Sequence, residues 1–261
     1  MKRRDFLASS LAASASLASA GPGKAQQAAT NARDYYELRR YDFTNGSRMK
    51  TVHQFFREAA IPALNRIGIN PVGVFGVIVG PLSPSIYVLL PHRSLDSVAT
   101  LEERLWADEE YMKLGAEFLN APADHPMYVR YESSLMKAFD CHPRITPPPR
   151  EKRIFELRTY ESSSRKYNFN KVEMFNSGEV EIFIRSGFHP VFFGEKLIGE
   201  RMPNLTYMLA IGSIEARDRA WQAFESDPQW KALTSSPKFS GGPNVVNVTN
   251  YFLSPTPYSQ I

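Results

Sequence analysis

With one cysteine in 261 residues, Cys141, the chain can form no intramolecular disulfide, so its stability must come from packed apolar surface. The sequence contains no HExxH, CxxC, CxxCH, GxSxG or GxGxxG. Structural zinc, covalent haem, a nucleophile elbow and a dinucleotide turn therefore have no signature here, no metal ligand is assigned and the cofactor stays open. Blocks of Lys or Arg like those of nucleic-acid arms are also missing, which argues against a nucleic-acid partner. No apolar run is long enough for a stable membrane span.

What the chain has instead is a repeat. YELRRY, Tyr36 to Tyr41, returns as FELRTY, Phe155 to Tyr160, with Glu37 and Glu156 119 positions apart. The same spacing takes Arg66, Gly68 and Pro71 to Arg185, Gly187 and Pro190, Ser94 to Ser213, Asp108 to Asp227, and Tyr111 to Trp230. A unit of this length is one small domain used twice.

Residues 1–20 read as an export signal of the twin-arginine class. They have a basic start at Lys2, Arg3 and Arg4, a run rich in Ala, Ser and Leu, and small residues at Ala18 and Ala20. The expected location is the bacterial periplasm. Half of the net charge of +4 leaves with that segment, so the mature chain is only mildly basic. Residues 21–33 read as a flexible lead, 34–139 as a first domain, 140–152 as a Pro-rich spacer and 153–261 as a second domain.

Each domain reads as strand, helix, hairpin, helix, strand. YELRRYDF alternates with period two, and Ser47 to Ile67 places Met49, Val52, Phe56, Ala60 and Leu64 at helical steps. Pro62 should bend that helix, and Gly68 should stop it. Ser94 and Asp227 read as helix caps, the latter followed by Pro228 at the first helical position, while a helix runs from Ser213 and Asp108 restarts a short helical segment. The expected fold class is α+β, with two tandem ferredoxin-like βαββαβ units.

The ELR.Y openings, the R.G..P turns and the DPQW helix start resemble the NIPSNAP family over nearly all of the chain after the signal. Asp108, Glu109, Glu110 and Tyr111 depart from DPxW in the first half. The resemblance implies a dimeric α/β barrel, closed within one chain or by a homodimer, and it implies few catalytic residues. Some barrels of this shape hold haem, which makes His189 a candidate by analogy of fold. The family's wider associations also admit a protein-interaction scaffold.

Helices should cover Leu38 and Leu157, which would turn Glu37, Arg39, Tyr41, Glu156, Arg158 and Tyr160 into the barrel. Two readings follow. In one, Glu–Arg pairs and tyrosine hydroxyls tie the two halves together. In the other, Arg39 and Arg158 hold a small anionic or aromatic molecule while Glu37, Glu156 or a tyrosine such as Tyr160 moves a proton. His189 is a further catalytic candidate because it aligns with Asn70 and breaks the internal symmetry. Phe188, Phe192, Phe193, Trp221 and Trp230 read as packing residues. The functional options are a binding protein without turnover, an oxygenase or isomerase without a covalent or metal cofactor, and a scaffold.

Overall fold

A computed structural model describes residues 32–44 and 48–261. Residues 1–20, read above as an export signal, and most of the segment read as a lead lie outside the described residues, as does Ser47. In the first half, strand β1 (Tyr35–Asp42) is followed by helix α1 (Met49–Gln54), a π-helical turn (Phe55–Ala60) and α2 (Ile61–Arg66). The hairpin β2 (Gly73–Val79) and β3 (Ser85–His92) comes next, then α3 (Leu95–Ala99), α4 (Leu101–Trp106), α5 (Glu109–Leu114), α6 (Ala116–Leu119) and β4 (Arg130–Ala138). The second half runs β5 (Ile154–Glu161), α7 (Arg165–Met174), a π turn (Phe175–Glu179), α8 (Val180–Arg185), β6 (His189–Ile198), β7 (Asn204–Ile211), α9 (Ile214–Ser226), α10 (Pro228–Ser235) and β8 (Asn247–Pro255).

All eight strands form one closed antiparallel barrel in the order β1-β3-β2-β8-β5-β7-β6-β4. Two seams join the halves. Phe75 pairs with Pro255 across β2 and β8, and Ala138 pairs with Gly194 across β4 and β6. The repeat thus closes the barrel inside a single chain, and each of the eight described strands has a neighbour on both sides.

The recurring motifs have a mechanical reason. Gly68 and Gly187 stop their helices at φ 83° and 102°, a conformation that favours glycine. Arg66 donates two hydrogen bonds to Asp108 at 2.8 and 2.9 Å, and Arg185 donates two to Asp227 at 2.6 and 2.7 Å. Each aspartate also caps a helix, through the N–H of Tyr111 in one half and those of Gln229 and Trp230 in the other. One Arg–Asp clamp therefore fastens the end of the helix before the hairpin, α2 or α8, to the start of a helix after it, α5 or α10, in each repeat. The residues between the halves also pack on the barrel: Asp34 N–H donates to Pro143 O, Thr146 N–H donates to Val191 O, and Ile145 packs on the barrel core.

The strand alternation is as expected, but the faces are reversed. Tyr36, Leu38, Phe155 and Leu157 point into the barrel, where they meet Phe75, Phe192, Met136 and Leu253. Glu37, Arg39 and Tyr41 lie on the helix side of the first half, and Glu156, Arg158 and Tyr160 on that of the second. This is shown by Arg39 reaching Glu102 on α4, Glu156 receiving Arg217 and Trp221 of α9, and both tyrosines packing in the helix-side cores. The physical reason lies in closure. A closed barrel shields most of its centre from water, so unpaired polar groups are costly away from its ends. The sheet–helix layer, in contrast, opens at its rim and brings helix side chains within reach as partners.

Candidate functional site

The two polar sets form separate networks, one in each sheet–helix layer. In the first, Glu37 accepts Arg39 Nε at 2.7 Å, Arg39 Nη2 at 3.0 Å and Ser133 Oγ at 2.7 Å. Arg39 Nη2 also donates to Glu102 at 2.9 Å, which leaves the guanidinium held between two carboxylates. Around it Phe55 stacks on Phe118 at 3.9 Å, and Tyr41 packs on Phe56, Tyr128 and Tyr131. These rings fill the space beside the Glu37–Arg39 pair, and a pocket of about 480 Å³ lies outside them, lined by Arg48, His125, Tyr128 and Val129 among others.

The second half departs from that plan position by position. Arg158 Nη1 donates to Glu156 at 2.6 Å, and Nε donates to the Tyr160 hydroxyl at 3.2 Å. The place of Glu102 is taken by Trp221, whose ring lies 4.6 Å from the Arg158 guanidinium. Arg158 Nη2 therefore has no carboxylate corresponding to Glu102 and makes no hydrogen bond to the described residues. Fully buried Glu156 instead receives Arg217 at 2.9 Å, Trp221 Nε1 at 3.1 Å and Asn250 at 2.7 Å.

Where the first half has Val52 and Ala60, the second has Lys171 and Glu179. Lys171 Nζ donates to both Glu179 oxygens, at 2.9 and 2.8 Å, inside a box made by Tyr160, Phe175 and Trp230. The ladder partners of Arg39 and Arg158 are Ser133 and Asn250. Counting back from these, Tyr131 is matched by Val248 and Tyr128 by Val245. Two tyrosines that close the first layer are thus valines in the second. The result is a cleft of about 420 Å³ lined by Arg158, Tyr160, Lys171, Arg217, Trp221 and Trp230, with Glu179 at its wall and both valines at its rim.

The electrostatics follow from burial against partners. Burial pushes Glu156 up, but the hydrogen bonds and charges of Arg217 and Arg158 prevail and hold it below the usual carboxylate range. At Glu179 burial outweighs Lys171, so that carboxyl is raised. Tyr207, whose hydroxyl donates to Tyr160 at 2.6 Å, is raised by burial as well. The cleft therefore offers a spare guanidinium N–H, indole faces, and a carboxyl inclined to hold a proton.

Of the residues expected at a site, Arg158 and Tyr160 line this cleft and Glu156 sits behind it. Glu37, Arg39 and Tyr41 are locked in the packed layer of the first half. His189 is exposed at the start of β6, paired with Ala210, and lines neither this cleft nor the barrel-end pocket described below. Phe188, Phe192 and Phe193 are core, as read. Lys171, Glu179, Arg217, Val245 and Val248 were not anticipated, and Trp221 and Trp230 do more than pack. The available signal was the divergence between halves, above all Val52 to Lys171 and Ala60 to Glu179. Among the described residues no cluster of three or more His, Cys, Asp or Glu could hold a metal ion, and no helix is long and apolar enough to cross a membrane.

The architecture defines the class, an α+β protein in which two repeats close one eight-stranded antiparallel barrel. The chain belongs to the NIPSNAP family, whose model matches residues 36–141 and again 155–260. No curated protein matches the chain. Among solved structures it is similar to a provisionally assigned monooxygenase from Lactobacillus acidophilus NCFM, at 10% identity and a TM-score of 0.56, over 85% of this chain and 94% of that one. A second provisionally assigned monooxygenase, from Fusobacterium nucleatum, gives 9% identity and a TM-score of 0.55, over 86% and 93%. An uncharacterised NIPSNAP-like domain protein from Burkholderia xenovorans is 18% identical over 41% of this chain and 89% of that one, with a TM-score of 0.37. At these identities the likeness concerns the fold alone.

Proposed function

We propose that the protein is an exported binding protein for a small planar molecule carrying a carboxylate or similar acceptor, held in the sheet–helix cleft of the second half. Each half is read as a ferredoxin-like unit, with strand orders β4-β1-β3-β2 and β8-β5-β7-β6, joined as two protomers of a dimeric α/β barrel would be. The observation that carries the binding reading is concerted divergence. At one place in a duplicated fold, aromatic plugs become Val245 and Val248, a salt-bridging acid becomes Trp221, and apolar core becomes Lys171 and Glu179. A planar ligand would lie against the indoles, and its acceptor would take the spare Nη2 of Arg158.

The test restores the plug. Val248→Tyr places the first half's side chain at the rim and leaves every charge in place. Calorimetry with salicylate and related aromatic carboxylates should show saturable binding to the native chain and its loss in V248Y. Equal affinities, or no binding across the series, would overturn the reading. Export has its own test: R3K/R4K should retain the chain in the cytoplasm, whereas unchanged export would exclude the twin-arginine route.

A second reading, an enzyme acting in the same cleft, is favoured by the raised Glu179 carboxyl beside Lys171 and by the Tyr207–Tyr160–Arg158 hydrogen-bond chain. Such a set can deliver or accept a proton at a bound substrate. The oxygenase and isomerase options both belong to it, and the two full-length structural neighbours agree with it in fold. Turnover that Glu179→Gln abolishes while ligand affinity is kept would establish it.

A further inference from the structure

The apolar centre of the barrel ends in a polar mouth beside the β6–β7 hairpin, a pocket of about 220 Å³. Lys196 lies opposite Met136 in the β4–β6 ladder, and Met136 is part of the barrel core. Opposed residues share a face, so the lysine side chain rises along the interior wall. It makes no hydrogen bond or ion pair with the described residues. Its neighbours are hydroxyls. Thr159 and Thr206 share a hydrogen bond of 2.9 Å, and Thr249 accepts Arg201 Nη1 at 2.8 Å.

The hairpin is built to present these cations. Arg201 is the one non-glycine residue with positive φ among those described, at 57°, a conformation that persists only when its surroundings impose it. Buried Asn204 imposes it by donating to Glu200 O at 2.9 Å and Arg201 O at 2.8 Å. At Gly199, φ 148°, a Cβ would stand 2.9 Å from Lys196 Cδ and 2.8 Å from Ser134 Cβ. Its absence is what lets the lysine stem lie against β4.

The charges around the mouth are mixed in sign, and two of its cations have no ion-pair partner among the described residues. Across the mouth Arg40 is already satisfied by Asp42 at 3.0 Å and Glu132 at 2.8 Å. Glu161 on β5, which accepts Asn247 at 3.0 Å, and Glu200 both keep their charge, and Lys196 and Arg201 make no ion pair with the described residues. Leu38, Leu157, Tyr87 and Tyr251 form the floor. We propose that this mouth is a second binding site, for a short-chain carboxylate whose head group pairs with Lys196 and Arg201 and whose apolar tail rests on that floor. The site is independent of the second-half cleft. Burial lowers Lys196, with Glu200 and Glu161 opposing and Arg201 adding to the effect; a bound carboxylate would return the amine to its charged form.

The probe is butyrate. Calorimetry should show saturable binding that Lys196→Met weakens by about tenfold or more, about 1.4 kcal/mol, and that V248Y leaves unchanged. The 13C-dimethyl resonance of reductively methylated Lys196 should titrate at higher pH when butyrate is present. Because Met keeps the length of the stem, the fold should survive, and Thr206→Val gives a second variant, expected to weaken binding without removing a charge. Absence of saturable binding, equal affinity in K196M, or inorganic phosphate binding as tightly as butyrate would overturn the proposal.

Discussion

Burial by itself would raise the Glu37 carboxyl, but the hydrogen bonds of Arg39 and Ser133, with His92 3.7 Å away, hold it down to about 2. A carboxylate depressed in the folded state contributes stability that is present above its unfolded value, 4.5, and is lost as pH falls toward 2. Glu37→Gln should therefore cost roughly 3 kcal/mol at neutral pH and flatten the acid limb of stability, as read by urea unfolding across that range. Glu179 has the opposite sign. Its raised value gives stability that is present below the unfolded value and lost as pH rises through the folded one. A buried pair of this kind is costly to break and cheap to replace. Lys171→Met alone should lose about 3–5 kcal/mol, whereas K171M/E179L should recover most of that. A double variant no more stable than the single one would show that the pair itself supports the fold.

The helices show where sequence was enough and where it was not. Gly68, Ser94, Asp108, Ser213 and Asp227 act at helix ends as their residue types require, because caps are local chemistry. Which face of YELRRY meets the helices is not local. Period-two alternation is equally satisfied either way, and only closure of the barrel decides that Leu38, not Glu37, faces the centre. The π turns were also invisible to periodicity. In the first half the turn precedes Pro62, while in the second it contains Gly178 at φ 116°. A Cβ there would sit 2.5 Å from Gln229 Nε2 on α10. Gly178→Ala should cost roughly 1–3 kcal/mol, measured by thermal unfolding. Because φ alone imposes strain, G178A/Q229A should recover only part of the loss; full recovery would make the clash the whole effect.

At the scale of the whole molecule, the consequence of duplication is that both seams of the barrel are internal. In a two-chain barrel the β2–β8 and β4–β6 pairings would be subunit contacts, and here they are satisfied within one chain. The apolar centre is also shared. Tyr36 of β1 packs on Phe192 of β6 at 5.3 Å, and Phe75 of β2 on Phe155 of β5 at 4.8 Å. The backbone between the halves adds hydrogen bonds but does not hold them together. A protease site inserted at exposed Arg150 should therefore give two fragments that stay associated in native mass spectrometry after complete cleavage. Denaturation and refolding of the cleaved protein should return the same heterodimer. Fragments that separate under native conditions would mean that the covalent link, and not the seams with their shared core, maintains the barrel. The constraint explains why divergence settled where it did: the seams and centre serve both halves, whereas each sheet–helix layer is built mainly from one repeat, with Tyr258 crossing into the first and Phe139 into the second. One layer could therefore open beside its arginine while the other kept its aromatic packing.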